Sequence, residues 1–127
     1  MLIVLQDLKT ILKEILEDDV NTIKIGLEKG IASKSCPMVR VVPSVLKNDS
    51  VYKTLEFTIF LGVSKSKNDL ENDYINLSSI LGKLTDTLVV TELHHGLLKI
   101  EDIIFDEDKL DNIKLVAVRM TLNDYRD

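Results

Sequence analysis

Apolar residues recur along this chain with two different periods, and the switches between them outline its elements. Val4, Leu8, Ile11 and Ile15, flanked by Leu5, Leu12 and Leu16, fall on one side of a 3.6-residue repeat, with Asp7, Lys9, Lys13, Glu14 and Glu17 on the other. This pattern predicts an amphipathic helix over residues 2–18. The carboxylates of Glu17, Asp18 and Asp19 sit at its negative pole and help to end it. Ile23, Ile25 and Leu27 then alternate with Lys24, Gly26 and Glu28, the period of a half-buried strand, with Gly30 as its stop. Residues 37–45 carry Met38, Val39, Val41 and Val42 ahead of Pro43. Proline has no N–H to give a ladder, so this strand is expected at an edge or to stop near Pro43. The clearest alternation runs from Thr54 to Val63: Leu55, Phe57, Ile59, Leu61 and Val63 face one way, and Thr54, Glu56, Thr58 and Phe60 the other.

Asn68 and Glu71 have the spacing of a capping box, with Asn68 as N-cap of a second helix. Leu70, Tyr74, Leu77, Leu81, Leu84 and Leu88 follow at steps of four and three. They form one apolar stripe along about 19 residues, or roughly 28 Å of helix. Such spacing also suits a coiled-coil seam, but it covers fewer than three heptads and stands between strands, which favours packing on a sheet. Leu98 to Phe105 reads as a strand interrupted by Glu101-Asp102, and Ile113 to Leu122 as a strand apolar on both faces near its start, hence central. The order is helix, three strands, helix, two strands. With two helices for five strands, the economical fold is α+β: one mostly antiparallel or mixed sheet with both helices packed on one face.

Composition narrows the reading further. The chain has 127 residues, 45% of them hydrophobic, with five glycines and two prolines. That suits a single domain over residues 1–127 with a real core, and it excludes disorder and low-complexity repeats. The net charge of −5 argues against a surface that coats nucleic acid. Cys36 is the only cysteine, so no intrachain disulfide can form. Every apolar run is too short to span a membrane, and the opening Met1 to Leu5 has no basic flank and is too short for a signal-peptide core.

Sites of chemistry are sparse. The chain has no Gly-rich phosphate loop, nucleophile elbow, paired-cysteine motif or helical metalloprotease motif. His94-His95 is a tempting pair, but adjacent residues share no face of a helix or strand, so the pair reads as a solvated turn rather than a metal site. Cys36 beside Pro37 reads as a loop or small core residue, since a nucleophilic thiolate needs a partner such as histidine. The run Asp106-Glu107-Asp108, with Asp111 after it, reads first as a solvated turn and second as a functional acidic face. No catalytic residue, metal or cofactor is expected.

Charge is uneven along the chain. Residues 1–28 hold three bases and six acids, residues 29–67 seven and two, and residues 68–127 six and thirteen. A basic middle between acidic ends offers two complementary surfaces on one molecule, as a head-to-tail ring requires; the alternative is that these segments do not map onto surface patches.

In order and texture the chain resembles the tail terminator or tail-completion proteins of long-tailed phages and prophages, which act in head-tail joining. The resemblance lies in the leading helix, the pair Ile23 to Leu27 and Pro37 to Pro43, the long strand Leu55 to Val63, one long helix, and the closing strand Leu115 to Leu122. It implies a structural virion protein, usually a hexameric ring. Such a ring caps the finished tail tube, stops further polymerisation and presents a surface to the head-side connector, while DNA passes through its lumen without specific binding. It also implies assembly in the host cytoplasm and a final place in the virion tail. On charge, Lys34, Arg40, Lys47, Lys65 and Lys67 are candidate contacts to an acidic partner, and Asp106, Glu107, Asp108 and Asp111 candidate contacts to a neighbour's bases or a lumen lining. A second class stays open: a small adaptor or chaperone-like module whose exposed edge strand near Pro43 pairs with a partner's strand.

Overall fold

A computed structural model describes residues 1–28, 33–49, 51–66, 69–89, 91–106 and 112–126. Its elements are α1 (Leu2–Leu16), β1 (Thr22–Ile25), a 3-10 turn (Ser33–Ser35), β2 (Met38–Asp49), β3 (Tyr52–Ser64), α2 (Leu70–Leu88), β4 (Glu92–Leu93), β5 (Gly96–Phe105) and β6 (Ile113–Tyr125). The strands form one mixed sheet in the order β1-β2-β3-β6-β5-β4. Only β1 and β2 run parallel, and every other neighbouring pair is antiparallel. This is the α+β arrangement expected from the sequence, with β6 inside the sheet. The sixth strand, β4, has two residues, too few for any period to reveal.

Both helices lie on one face. Val4, Leu5, Leu8, Leu12 and Leu16 of α1 and Leu77, Ile80, Leu84 and Leu88 of α2 share a core with Val39 and Val41, with Leu55 through Val63 at alternate positions, and with Val116, Val118, Met120 and Leu122. Burying some two dozen large apolar side chains, at about 1.5–3 kcal/mol each, is the main force holding the layers together. Lys83 of α2 donates to Asp19 just beyond α1 at 2.7 Å and ties the helices at their rim. On the opposite face Cys36, Met38 and Ile113 make a smaller cluster. Gly62 lies beneath it because a Cβ there would approach Met38 Cε to 2.8 Å.

Several boundaries depart from the sequence reading for identifiable reasons. The first helix ends at Leu16, not 18. The first strand ends at Ile25, because Gly26 takes φ 92°, a left-handed conformation open to glycine, and turns the chain; Gly30 lies outside the described residues. Strand β2 does not stop at Pro43: a bulge between Pro43 and Val45 absorbs the missing donor and the strand continues to Asp49. Strand β1 covers only Met38 to Val41, so among the described strands β2 is an edge beyond that point. The N-cap of α2 is Asp69, whose carboxylate accepts from the Asn72 N–H at 3.0 Å; the cap expected at Asn68 falls outside the described residues. The buried face of α2 is rotated relative to the leucine stripe. Asp73, Leu77, Ile80, Leu84 and Leu88 are buried, Tyr74 and Leu81 are half-buried, and Leu70 is exposed. Asp73 is tolerated there because Ser66 donates to it through both its N–H, at 2.6 Å, and its hydroxyl, at 2.8 Å.

Candidate functional site

Strand pairing divides the candidate residues between two ends of the sheet. One end holds the start of β1 and β2, the finish of β3 and β5, and the start of β6. Lys34 is exposed on the 3-10 turn at this end, beside Ser35, whose carbonyl accepts from Thr22 Oγ1 at 2.9 Å. Lys65 is half-buried just past β3, its N–H donating to the Asn112 carbonyl at 2.8 Å. Lys47 is exposed near the far tip of the β2–β3 hairpin, about 30 Å along the strand from Met38. The fold therefore does not gather the basic candidates into one patch. Lys67, Glu107, Asp108 and Asp111 lie outside the described residues.

Two candidates serve the fold instead. Arg40 is fully buried on the face away from the helices, so the expected surface contact is corrected. Its Nε and Nη2 donate to the Glu28 carboxylate at 3.0 and 2.7 Å, and Nη1 donates to Thr22 Oγ1 at 3.0 Å and to the Val39 carbonyl at 2.8 Å. This clamp fastens the turn after β1 to β2. The Arg40 guanidinium also holds the Glu28 carboxyl down at about 2. Asp106 likewise faces inward. It accepts from Lys114 Nζ at 2.8 Å and from the Leu115 N–H at 3.0 Å, while the buried Lys114 ammonium lies 4.2 Å from the centre of the Tyr74 ring. A lysine in an apolar strand start is thus paired and capped, and Asp106 is not part of a solvated acidic run.

The chemistry weighed from the sequence can now be located. His94 and His95 form the two-residue turn between β4 and β5, with φ 49° and 69°, and His94 Nε2 pairs with Asp7 of α1. Cys36 is buried with Met38 and Ile113 at the opposite end of the sheet, and burial pushes its thiol pKa up. The two histidines and the cysteine are therefore far apart. Among the described residues no group of three or more His, Cys, Asp or Glu is placed to hold a metal ion, and no described helix is long and apolar enough to cross a membrane. A polar groove of about 340 Å³ lies by the first turns of α2, lined by Ser64, Ser66, Asp73 and Asn76, and a second of about 340 Å³ lies between α1 and β1, lined by Thr10, Lys13, Val20 and Ile23. In the first, the Ser66 hydroxyl pairs with the Asp73 carboxylate, the contact that lets Asp73 be buried.

What the sequence reading missed is apolar exposure along the sheet edges. Strand β4 pairs with β5 only as far as Leu97, so from Leu98 to Phe105 no described strand covers the outer side of β5. Leu97 is 66% exposed, and Ile103, Ile104 and Phe105 are 37%, 49% and 44% exposed. The hairpin tip adds Val45, Leu46, Val51 and Tyr52. The signal was present in three consecutive apolar residues after Glu101-Asp102, since alternation can bury only every second one.

No family model matches the chain, and no curated protein matches it either. Among solved structures, a chain from the virion of a native gene transfer agent particle shares the fold. The two superpose with a TM-score of 0.52 at 11% identity, over 95% of this chain and 90% of that one. At that identity the likeness is one of fold: the α+β layer described above is also the architecture of a virion chain of nearly the same extent.

Proposed function

We propose that this chain is a structural virion protein of the tail, a ring subunit that caps the tail tube, stops its polymerisation and offers the surface for joining to the head. The observation that carries the reading is the near end-to-end fold likeness to a gene transfer agent virion chain. The resemblance in sequence order to tail terminators points the same way. The task needs no catalytic residue. It needs a rigid sheet, one subunit contact that closes on itself, and a second surface matched to the tube. Partners on this reading are further copies of the chain, usually six in all, a tail-tube protein and a head-side connector. DNA would slide past a subunit of net charge −5 without adhering to it.

Light scattering after size-exclusion chromatography, with and without purified tail tube, tests the reading. A closed oligomer near six subunits, alone or on the tube end, is expected. Electron microscopy of particles made without the protein should show overlong tails separated from heads. Normal tails in its absence would overturn the assignment. The adaptor reading keeps one observation in its favour: beyond Val41 no described strand covers the outer side of β2. It requires a monomer that takes up a partner's strand there.

A further inference from the structure

The two edges of this sheet are stepped, and the steps are complementary. On one side β1 lines β2 only along Met38 to Val41, which among the described strands leaves a recess beside the rest of β2. On the other side β4 lines β5 only at Gly96 and Leu97, which among the described strands leaves a recess beside the rest of β5. The recesses lie at opposite ends of the sheet. Setting one copy beside another in the same orientation therefore brings β1 of the second into the notch beside β5 of the first, and β4 of the first into the notch beside β2 of the second.

The register rows show what would meet. Ile25, Val41, Ile59, Val118 and Ile103 form one row across the sheet; Lys24, Arg40, Phe60, Ala117 and Ile104 form the next; Ile23, Val39, Leu61, Val116 and Phe105 the third. The ends of each row are therefore level, and no slide along the strands is needed. Strand β5 runs opposite to β1, so the new pair is antiparallel. On the helix face Ile103 meets Ile25 and Phe105 meets Ile23, next to the groove between α1 and β1 lined by Lys13 and Val20. On the other face Lys24 lies opposite Ile104 and diagonal to Asp102, which already receives Arg119 at 3.0 Å. At the far end Glu92 stands level, to within a residue, with Lys47, and both are exposed.

We propose that a second copy of this chain adds β1 to the open side of β5, with Phe105 seated in the groove between α1 and β1, so that the sheet continues from subunit to subunit. The contact is head-to-tail, and such a contact closes a ring or grows a filament according to its rotation. The proposal specifies the subunit contact of the ring reading and rests on it. The match of apolar rows, the pairing of Glu92 with Lys47 and of Asp102 with Lys24, and the reciprocal steps select a copy of the chain over an unrelated strand. Exposed apolar edges are otherwise a hazard that proteins cover.

Disulfide trapping tests the contact. Directly opposed residues of an antiparallel pair have Cα atoms about 4.5–5.5 Å apart, within reach of a disulfide. The full-length double variant Lys24→Cys/Ile104→Cys, oxidised and run without reductant, should give a ladder of covalent multimers. Each single variant should give none, and neither should Lys24→Cys/Ile103→Cys, whose side chains lie on opposite faces. Phe105→Glu should keep the parent melting curve and weaken self-association by at least ~30-fold, the effect of losing a central anchor. A protein that associates by light scattering yet gives no Lys24–Ile104 ladder overturns this contact and leaves the ring standing. A protein that is monomeric with tail tube present and gives no ladder overturns both.

Discussion

A guanidinium without solvent must find a carboxylate and further acceptor oxygens, and Arg40 has them in the Glu28 carboxylate, the Thr22 hydroxyl and the Val39 carbonyl. The depressed Glu28 carboxyl makes this clamp pH-dependent. The carboxyl titrates near 4.5 when unfolded and at about 2 when folded. The pair therefore contributes its full stability above pH 4.5 and loses it as the pH falls toward 2. The Glu28 side chain is 41% exposed, which discounts its worth. Glu28→Gln is expected to cost about 1–2 kcal/mol at neutral pH and to flatten the acid limb of stability between pH 4.5 and 2, read by urea melts across that range. Nothing in the local sequence reveals the pair, because the two residues are twelve apart and meet only when the chain turns back after β1. The same holds for Asp106, which looks like a solvated acid until β5 and β6 are laid side by side and Lys114 donates to it.

Periodicity reads elements well and their faces less well. The leucine stripe located α2 from Leu70 to Leu88, yet α1 and the sheet meet that helix along a line turned toward Ile80 and Asp73. Leu84→Asp should therefore unfold the protein, since an unpaired carboxylate in a fully buried position costs several kcal/mol, on the order of the total stability. Leu81→Asp, half-buried, should cost about 1–2 kcal/mol and stay folded. Equal denaturant midpoints for the two variants would refute this orientation of the helix. The β4–β5 turn makes a second element-scale prediction. His94 and His95 both occupy the left-handed region that such a hairpin requires and that side chains resist. His95→Gly should raise stability by about 0.5–1 kcal/mol in thermal melts. Gly96 next to them is constrained the other way: a Cβ would come within 2.6 Å of the Asn123 carbonyl, so Gly96→Ala should be destabilising.

At the scale of the molecule, the fold shared with a virion chain and the open, stepped sheet edges are what our proposal of an associating subunit rests on. Lys34 and Lys47, exposed at opposite ends of the sheet, separate two surfaces that charge counting had merged. Lys47→Glu should weaken self-association through Glu92, while Lys34→Glu should leave self-association intact and weaken attachment to the tube, both with parent melting curves; light scattering and tube co-sedimentation distinguish them.

The helix and strand order, the α+β class, the single helix layer and the central place of the last strand were all legible from apolar spacing, because burial of one face imposes its own period on each element. Which charges are interior, which way α2 is turned, and that the outer side of β5 is left open were not. Those depend on partners far apart in sequence and on the unequal lengths of β1, β2, β4 and β5. Apart from a proline such as Pro43, which marks the edge of β2, a strand's own pattern records which faces are buried but not whether another strand lies along its edge.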